Sequence, residues 1–184
     1  MIPVALHGVD IVACDEFFAS LPDLLEQANI TDVEYEKMLY RIEGELSLRH
    51  IHMINDWLGE NTTVWGSEVT QEVLTALNVI RYPDVTLVES LLSIEHIDCV
   101  LLSNWLHFLT RVYPIYDEQA CAGLAELGLD VAFDAADITS YGRYVSLIEG
   151  LKEHAPAGAL PEYALPRQRL LQVGLARWAT TRAG

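Results

Sequence analysis

Apolar residues in this chain recur at intervals of three and four, and the elements they predict are helices. The clearest stretch starts at Thr31, with Glu34 three residues on in capping-box spacing. Tyr35, Met38, Leu39, Ile42 and Leu46 follow on one face, Trp57 and Leu58 continue it, and Gly59 with a polar run ends it. A second helix is predicted from Ser67, with Val73, Leu74, Leu77 and Ile80 inward, and Tyr82-Pro83 stops it. Asp84 is placed to cap a short helix through Leu92. After a break over Ser93–Asp98, an apolar helix runs to about Val112, where Pro114 forbids its continuation.

Asp117 then opens an alanine-rich helix that stops at Gly128, and Leu129–Asp137 fits no single pattern. Thr139 or Ser140 caps a helix with Tyr141, Tyr144, Val145 and Ile148. The proline-bearing stretch 155–166 reads as a surface loop. Pro166 suits the first turn of a closing helix with Leu170, Leu171, Leu175 and Trp178. At the other end, Val9–Cys14 reads either as a short strand or as the run-in to a helix over Asp15–Gln27. The expected fold class is all-α: a single compact helical domain of seven or eight helices, with an N-terminal part over 1–82 and a second part over 83–184.

Charge changes this picture. Among 184 residues there are 27 acids against 11 lysines and arginines, for a net charge of −16. Residues 1–166 hold every acid and carry −20, whereas Arg167, Arg169, Arg177 and Arg182 give the last 18 residues +4. Such a body repels bare phosphate backbones at long range and attracts basic proteins. Cys14, Cys99 and Cys121 are odd in number and lack C-x-x-C spacing, so free thiols are expected. No secretory signal and no membrane-length apolar run is read, so a cytoplasmic location without membrane association is expected.

Candidate chemistry centres on 99–117. An apolar helix with Leu106-His107-Phe108 leads into Tyr113-Pro114-Ile115-Tyr116-Asp117, which sets one carboxylate at a helix start. Read from the residues alone, Asp117 is either a helix cap or a catalytic or ligand-binding acid. His107, between large apolar neighbours, reads first as a core histidine, and Trp105 and Phe108 as core. His50 and His52 point to different sides of one helix, so a shared metal is not expected. Cys121 lies near a helix N-terminus, where a thiolate is favoured. It has no evident base, and a small buried residue is the better reading.

The order of short helix, tight break and second helix (84–92, 93–98, 99–112) followed by this turn resembles bacterial OGG-like proteins. These are the 8-oxoguanine-DNA-glycosylase-like branch of the helix-hairpin-helix glycosylase fold. Tyr141 and Tyr144 match a Tyr-x-x-Tyr helix of that family, and Leu175–Trp178 loosely match a closing aliphatic-Trp element. The resemblance covers the second half of the chain.

It implies that Asp117 is the acid beside a sugar from which a flipped base departs. Trp105, His107, Tyr113 and Tyr116 would then be pocket residues, and Arg167 and Arg169 phosphate contacts. It implies a nucleobase, nucleoside or flipped base as partner, no cofactor, and a setting such as bacterial defence. The family's Schiff-base lysine has no counterpart: the lysines are Lys37 and Lys152, and Asp98 and Asn104 stand where one would be sought. Catalysis would be monofunctional. The break also lacks the family's glycines and carries Glu95 and Asp98. The alternative is a non-enzymatic acidic protein, such as an immunity protein, inhibitor or DNA mimic, that neutralises a basic partner.

Overall fold

In a computed structural model, residues 3–28, 30, 32–60, 65–79, 85–162 and 164–182 are described. Among them the chain is all-helical, with nine α-helices, a single 3-10 turn at Val4–Leu6 and no strand. The helices are α1 (Ile11–Gln27), α2 (Val33–Arg41), α3 (Leu48–Leu58), α4 (Ser67–Val79), α5 (Val85–Leu92), α6 (Cys99–Thr110), α7 (Glu118–Glu126), α8 (Ile138–His154) and α9 (Arg167–Arg182). They form two compact units, one of residues 1–31 with 114–184 and one of residues 32–113. The boundary expected between 82 and 83 falls inside the second of these.

Aspartates start most of these helices. Asp10, Asp32, Asp98, Asp117 and Asp137 each accept hydrogen bonds from first-turn amides that have no partner within their own helix. This corrects two sequence expectations. Asp137, not Thr139 or Ser140, caps α8, accepting from both of their amides at 3.0 Å. Asp32 caps α2, accepting from Glu34 and Tyr35; Thr31 lies outside the described residues, as do Asn61–Thr63 and Ile80–Asp84 with its expected Tyr-Pro stop and Asp84 cap. The stretch 9–14 is the cap and first turn of α1, not a strand.

The single helix predicted from Thr31 to Leu58 is two. Its apolar face is continuous, with Ile42 and Leu46 both buried, but 42–47 is a connection with Gly44 at φ +79°. Ser47 then opens α3, its hydroxyl accepting from His50 N–H and its own amide donating to His50 Nδ1. In the same way α6 ends at Arg111, in left-handed conformation at φ 58°, before Pro114 is reached. The left-handed cap, rather than the proline, stops this helix.

In the unit of residues 1–31 and 114–184, α9 packs against α1, α7 and α8. Two glycines permit the approach. A Cβ on Gly123 of α7 would lie 2.2 Å from the Leu175 carbonyl oxygen of α9, and one on Gly174 would lie 2.3 Å from Leu21 Cδ1 of α1. Phe17, Leu21, Leu124, Leu147, Leu171 and Leu175 fill the core.

In the 32–113 unit, α6 is buried on almost every side. Tyr35, Trp57, His107 and Phe108 make a ring cluster there, and the Trp105 indole donates to Asn55 Oδ1 at 2.9 Å.

Gly123→Ala forces a side chain into backbone and is expected to lower stability by about 1–3 kcal/mol. On α8, Gly142 has open space around its Cβ position. Gly142→Ala is expected to raise stability by about 0.5–1 kcal/mol through helix propensity. Urea midpoints of the two variants measure both.

Candidate functional site

The Tyr-Pro-Ile-Tyr-Asp segment is held from below by rings. Tyr116 is buried against Phe133, Tyr141 and Tyr144; its hydroxyl donates to Ala132 O at 3.2 Å and accepts from Asp134 N–H at 3.1 Å. The Tyr144 hydroxyl donates to Ile115 O at 2.8 Å. With Tyr116 inward and the chain extended at Asp117, the next side chain emerges half-buried at the head of α7.

Asp117 is both a cap and a pocket residue. Its Oδ1 accepts from Ala120 N–H at 2.7 Å. Among the described residues Oδ2 has no hydrogen-bond or ion-pair partner. Beside it opens a concavity of about 470 Å³, to which α9 contributes Arg169, Gln172, Arg177 and Thr180 and α7 contributes Gln119. The Arg169 guanidinium donates to Gln172 Oε1, and Arg177 donates to Gln27 O at 3.0 Å, so both arginines are braced. One carboxylate and two guanidiniums give this concavity a local charge of +1, on a chain of −16. Its chemistry is that of a polar, anion-bearing ligand with hydroxyls: forked donors for phosphate or carboxylate, and an acceptor for a hydroxyl.

The predicted residues divide. Asp117 and Arg169 line the concavity together. Arg167 is exposed at the start of α9 and does not line it. Tyr116 belongs to the core beneath and is 1% exposed, so it is not a wall.

Trp105, His107 and Tyr113 belong to the 32–113 unit, all buried. His107 is held at both nitrogens. A carbonyl only accepts, so Nδ1 carries the proton directed at Tyr113 O, 2.7 Å away, and in the neutral ring Nε2 accepts from the Tyr35 hydroxyl at 2.6 Å. It is a satisfied core histidine rather than a pocket residue. The expected aromatic walls are therefore packing elements, because large rings next to apolar helix faces gain more from burial than from lining an open surface.

Neither lysine lines the concavity; Lys37 pairs with Glu34, and Lys152 with Glu149. Asp98 is engaged in capping α6, and Asn104 is buried and donates to Val100 O. Within the 93–98 break, His96 takes a left-handed φ of 68°, where a glycine would be unstrained. Residues missed in the sequence are Gln119, Gln172 and Thr180, which join Arg177 of the C-terminal arginine set. The signal was present: positions 169, 172, 173, 176, 177 and 180 form one helical stripe. Their meeting with Asp117 depends on which face α9 turns to α7.

No protein-family model matches the chain, and no curated protein or solved structure matches it.

Cys121, one turn into α7, is no thiolate. Burial, then the Asp117 and Glu118 carboxylates, push its thiol from 9.0 up to about 12, and burial followed by Asp15 pushes Cys14 up to about 11. Desolvation and like charge outweigh the helix terminus. The native chain thus keeps protons that the unfolded chain releases above about pH 9, and this contribution to stability is lost as pH rises from there toward 11 and 12. Iodoacetamide at about pH 8 should label neither thiol in the native protein and both in urea. Native labelling of Cys121 would contradict this.

Proposed function

We propose that the chain binds a nucleoside or nucleotide at the Asp117 concavity, as a degenerate glycosylase-like protein. The observation that carries this reading is the convergence of a half-engaged carboxylate with Arg169 and Arg177 around one open space. The arginines suit a phosphate, and Asp117 Oδ2 suits a sugar hydroxyl. The resemblance of residues 99–117 to the glycosylase signature supplies the nucleobase. Affinity comes from the sugar and phosphate, since no aromatic side chain lines the space.

If the bound nucleoside is cleaved, the route is monofunctional. Asp117 stabilises positive charge developing on the sugar, water adds at the anomeric carbon, and the base leaves with the bonding electrons and takes up a proton. The hairpin reading of α5, the 93–98 break and α6 is consistent with the left-handed turn at His96. Glu95 there is exposed and negative, which disfavours duplex binding through it.

Asn caps helices about as well as Asp. Asp117→Asn is therefore expected to stay folded yet weaken binding of nucleoside 5′-monophosphates roughly tenfold or more, as is Arg169→Gln. Calorimetric titration with nucleosides and their monophosphates measures this, and base release from the same compounds reports turnover. No binding by the wild-type chain, or equal binding by Asp117→Asn, would sink the reading.

A second reading rests on the net charge of −16: a non-enzymatic partner of a basic protein, as an inhibitor, immunity protein or DNA mimic. It needs no pocket. A host pull-down that captures a basic protein in low salt and releases it as salt rises would favour it over the nucleotide reading.

A further inference from the structure

A second cationic concavity lies in the 32–113 unit, about 390 Å³ in volume and lined by Arg41, Arg49, His50 and Met53. We infer that it is an oxyanion site for a phosphate dianion, free or as a monoester. This inference is independent of the Asp117 reading.

Its lining offers donors and no carboxylate. Neither Arg41 nor Arg49 has a hydrogen-bond or ion-pair partner among the described residues, in a chain with 27 acids. By contrast, Arg182 pairs with Glu16, Arg111 donates to Leu39 O at 2.6 Å, and Arg143 donates to Asp130 O at 2.9 Å. Glu43 and Glu45, between the two arginines in sequence, are exposed and do not line the space.

His50 adds a third donor. Its Nδ1 accepts from Ser47 N–H at 3.3 Å, which places the neutral ring's proton on Nε2. The same capping box engages the helix amide of His50, so side chains rather than a bare helix end supply the site.

The spacing of the arginines is fixed by the fold. Arg41 ends α2 and Arg49 lies in the first turn of α3. The connection between them is pinned by buried Ile42 and Leu46 and by Asn78 of α4. Asn78 Oδ1 accepts from Leu46 N–H at 2.7 Å, and its Nδ2 donates to Leu46 O at 2.9 Å. Both arginine side chains are exposed on stems whose backbone positions are set by this connection, and each guanidinium can grip an oxyanion with two parallel N–H donors. Met53, one turn on from Arg49 and His50, is the apolar element, and the space exceeds an inorganic phosphate. An organic substituent on the phosphate would rest against it.

The full chain is titrated by amide-shift NMR and calorimetry with inorganic phosphate, phenyl phosphate and phenol at constant ionic strength. Saturable binding of both phosphates is expected, with shifts at Arg49 and His50 and none from phenol. Tighter binding of phenyl phosphate assigns a monoester, and equal binding assigns free phosphate. The double variant R41Q/R49Q, with unchanged circular dichroism, is expected to bind roughly tenfold or more weakly. Asp117→Asn is expected to keep these shifts, which separates this site from the other. No binding of either phosphate, phenol binding as well as phenyl phosphate, or a double variant that binds like wild type would overturn the inference.

Discussion

The close approach of α7 to α9, made possible because Gly123 presents no side chain to the Leu175 backbone, is the constraint on which the Asp117 site depends. It draws the head of α7 beside the polar stripe of α9, so that a carboxylate and two guanidiniums share one space. Gly174 extends the same logic on the other side of α9, where it lets Leu21 approach. Small residues at helix contacts do what bulkier ones would prevent: they bring backbones together, and polar side chains at the rim converge as a consequence. The Tyr116 and Tyr144 hydroxyl bonds fix the approach of the chain to Asp117, so the acid is presented by a rigid turn.

A different device organises the 32–113 unit. There a buried helix carries polar groups into the core, and most of them are paired. His107 and Trp105 find partners in Tyr35, the Tyr113 carbonyl and Asn55. A buried donor or acceptor left alone costs about 1–3 kcal/mol, so these links define which packing is native. The same residues that resemble a glycosylase signature are therefore explained by packing. Asp117 is the member of the motif that also faces open space.

The charge distribution sets the scale of what the two concavities can do. A body of −16 repels anions at distances where its charges are not screened, but the Debye length at physiological salt is about 8 Å. Within that range local guanidiniums decide. Clustering Arg169 with Arg177, and Arg41 with Arg49, makes two positive spots on an otherwise acidic chain. Small anionic ligands are thus better matched to this protein than long polyanions, whose remaining charges would face the acidic surroundings.

Helical periodicity, the cap at Asp117, most of the buried positions of α4, α6, α8 and α9, and the free thiols were legible in the sequence, because they follow from side-chain size, spacing and local backbone hydrogen bonding. The break at 42–47 was obscured because Ile42 and Leu46 continue the apolar face across it, leaving Gly44 and Ser47 as the local signals. Which rings would be walls and which core could not be read from spacing, since an aromatic on an apolar helix serves either purpose. Local propensity and pattern thus determined the helices and presented Asp117 at the start of one. Tertiary packing alone decided that Arg169, Gln172 and Arg177 would face it, and that Arg41 would meet Arg49. Such meetings depend on which helix faces come together, and that is settled by close contacts between residues far apart in the chain.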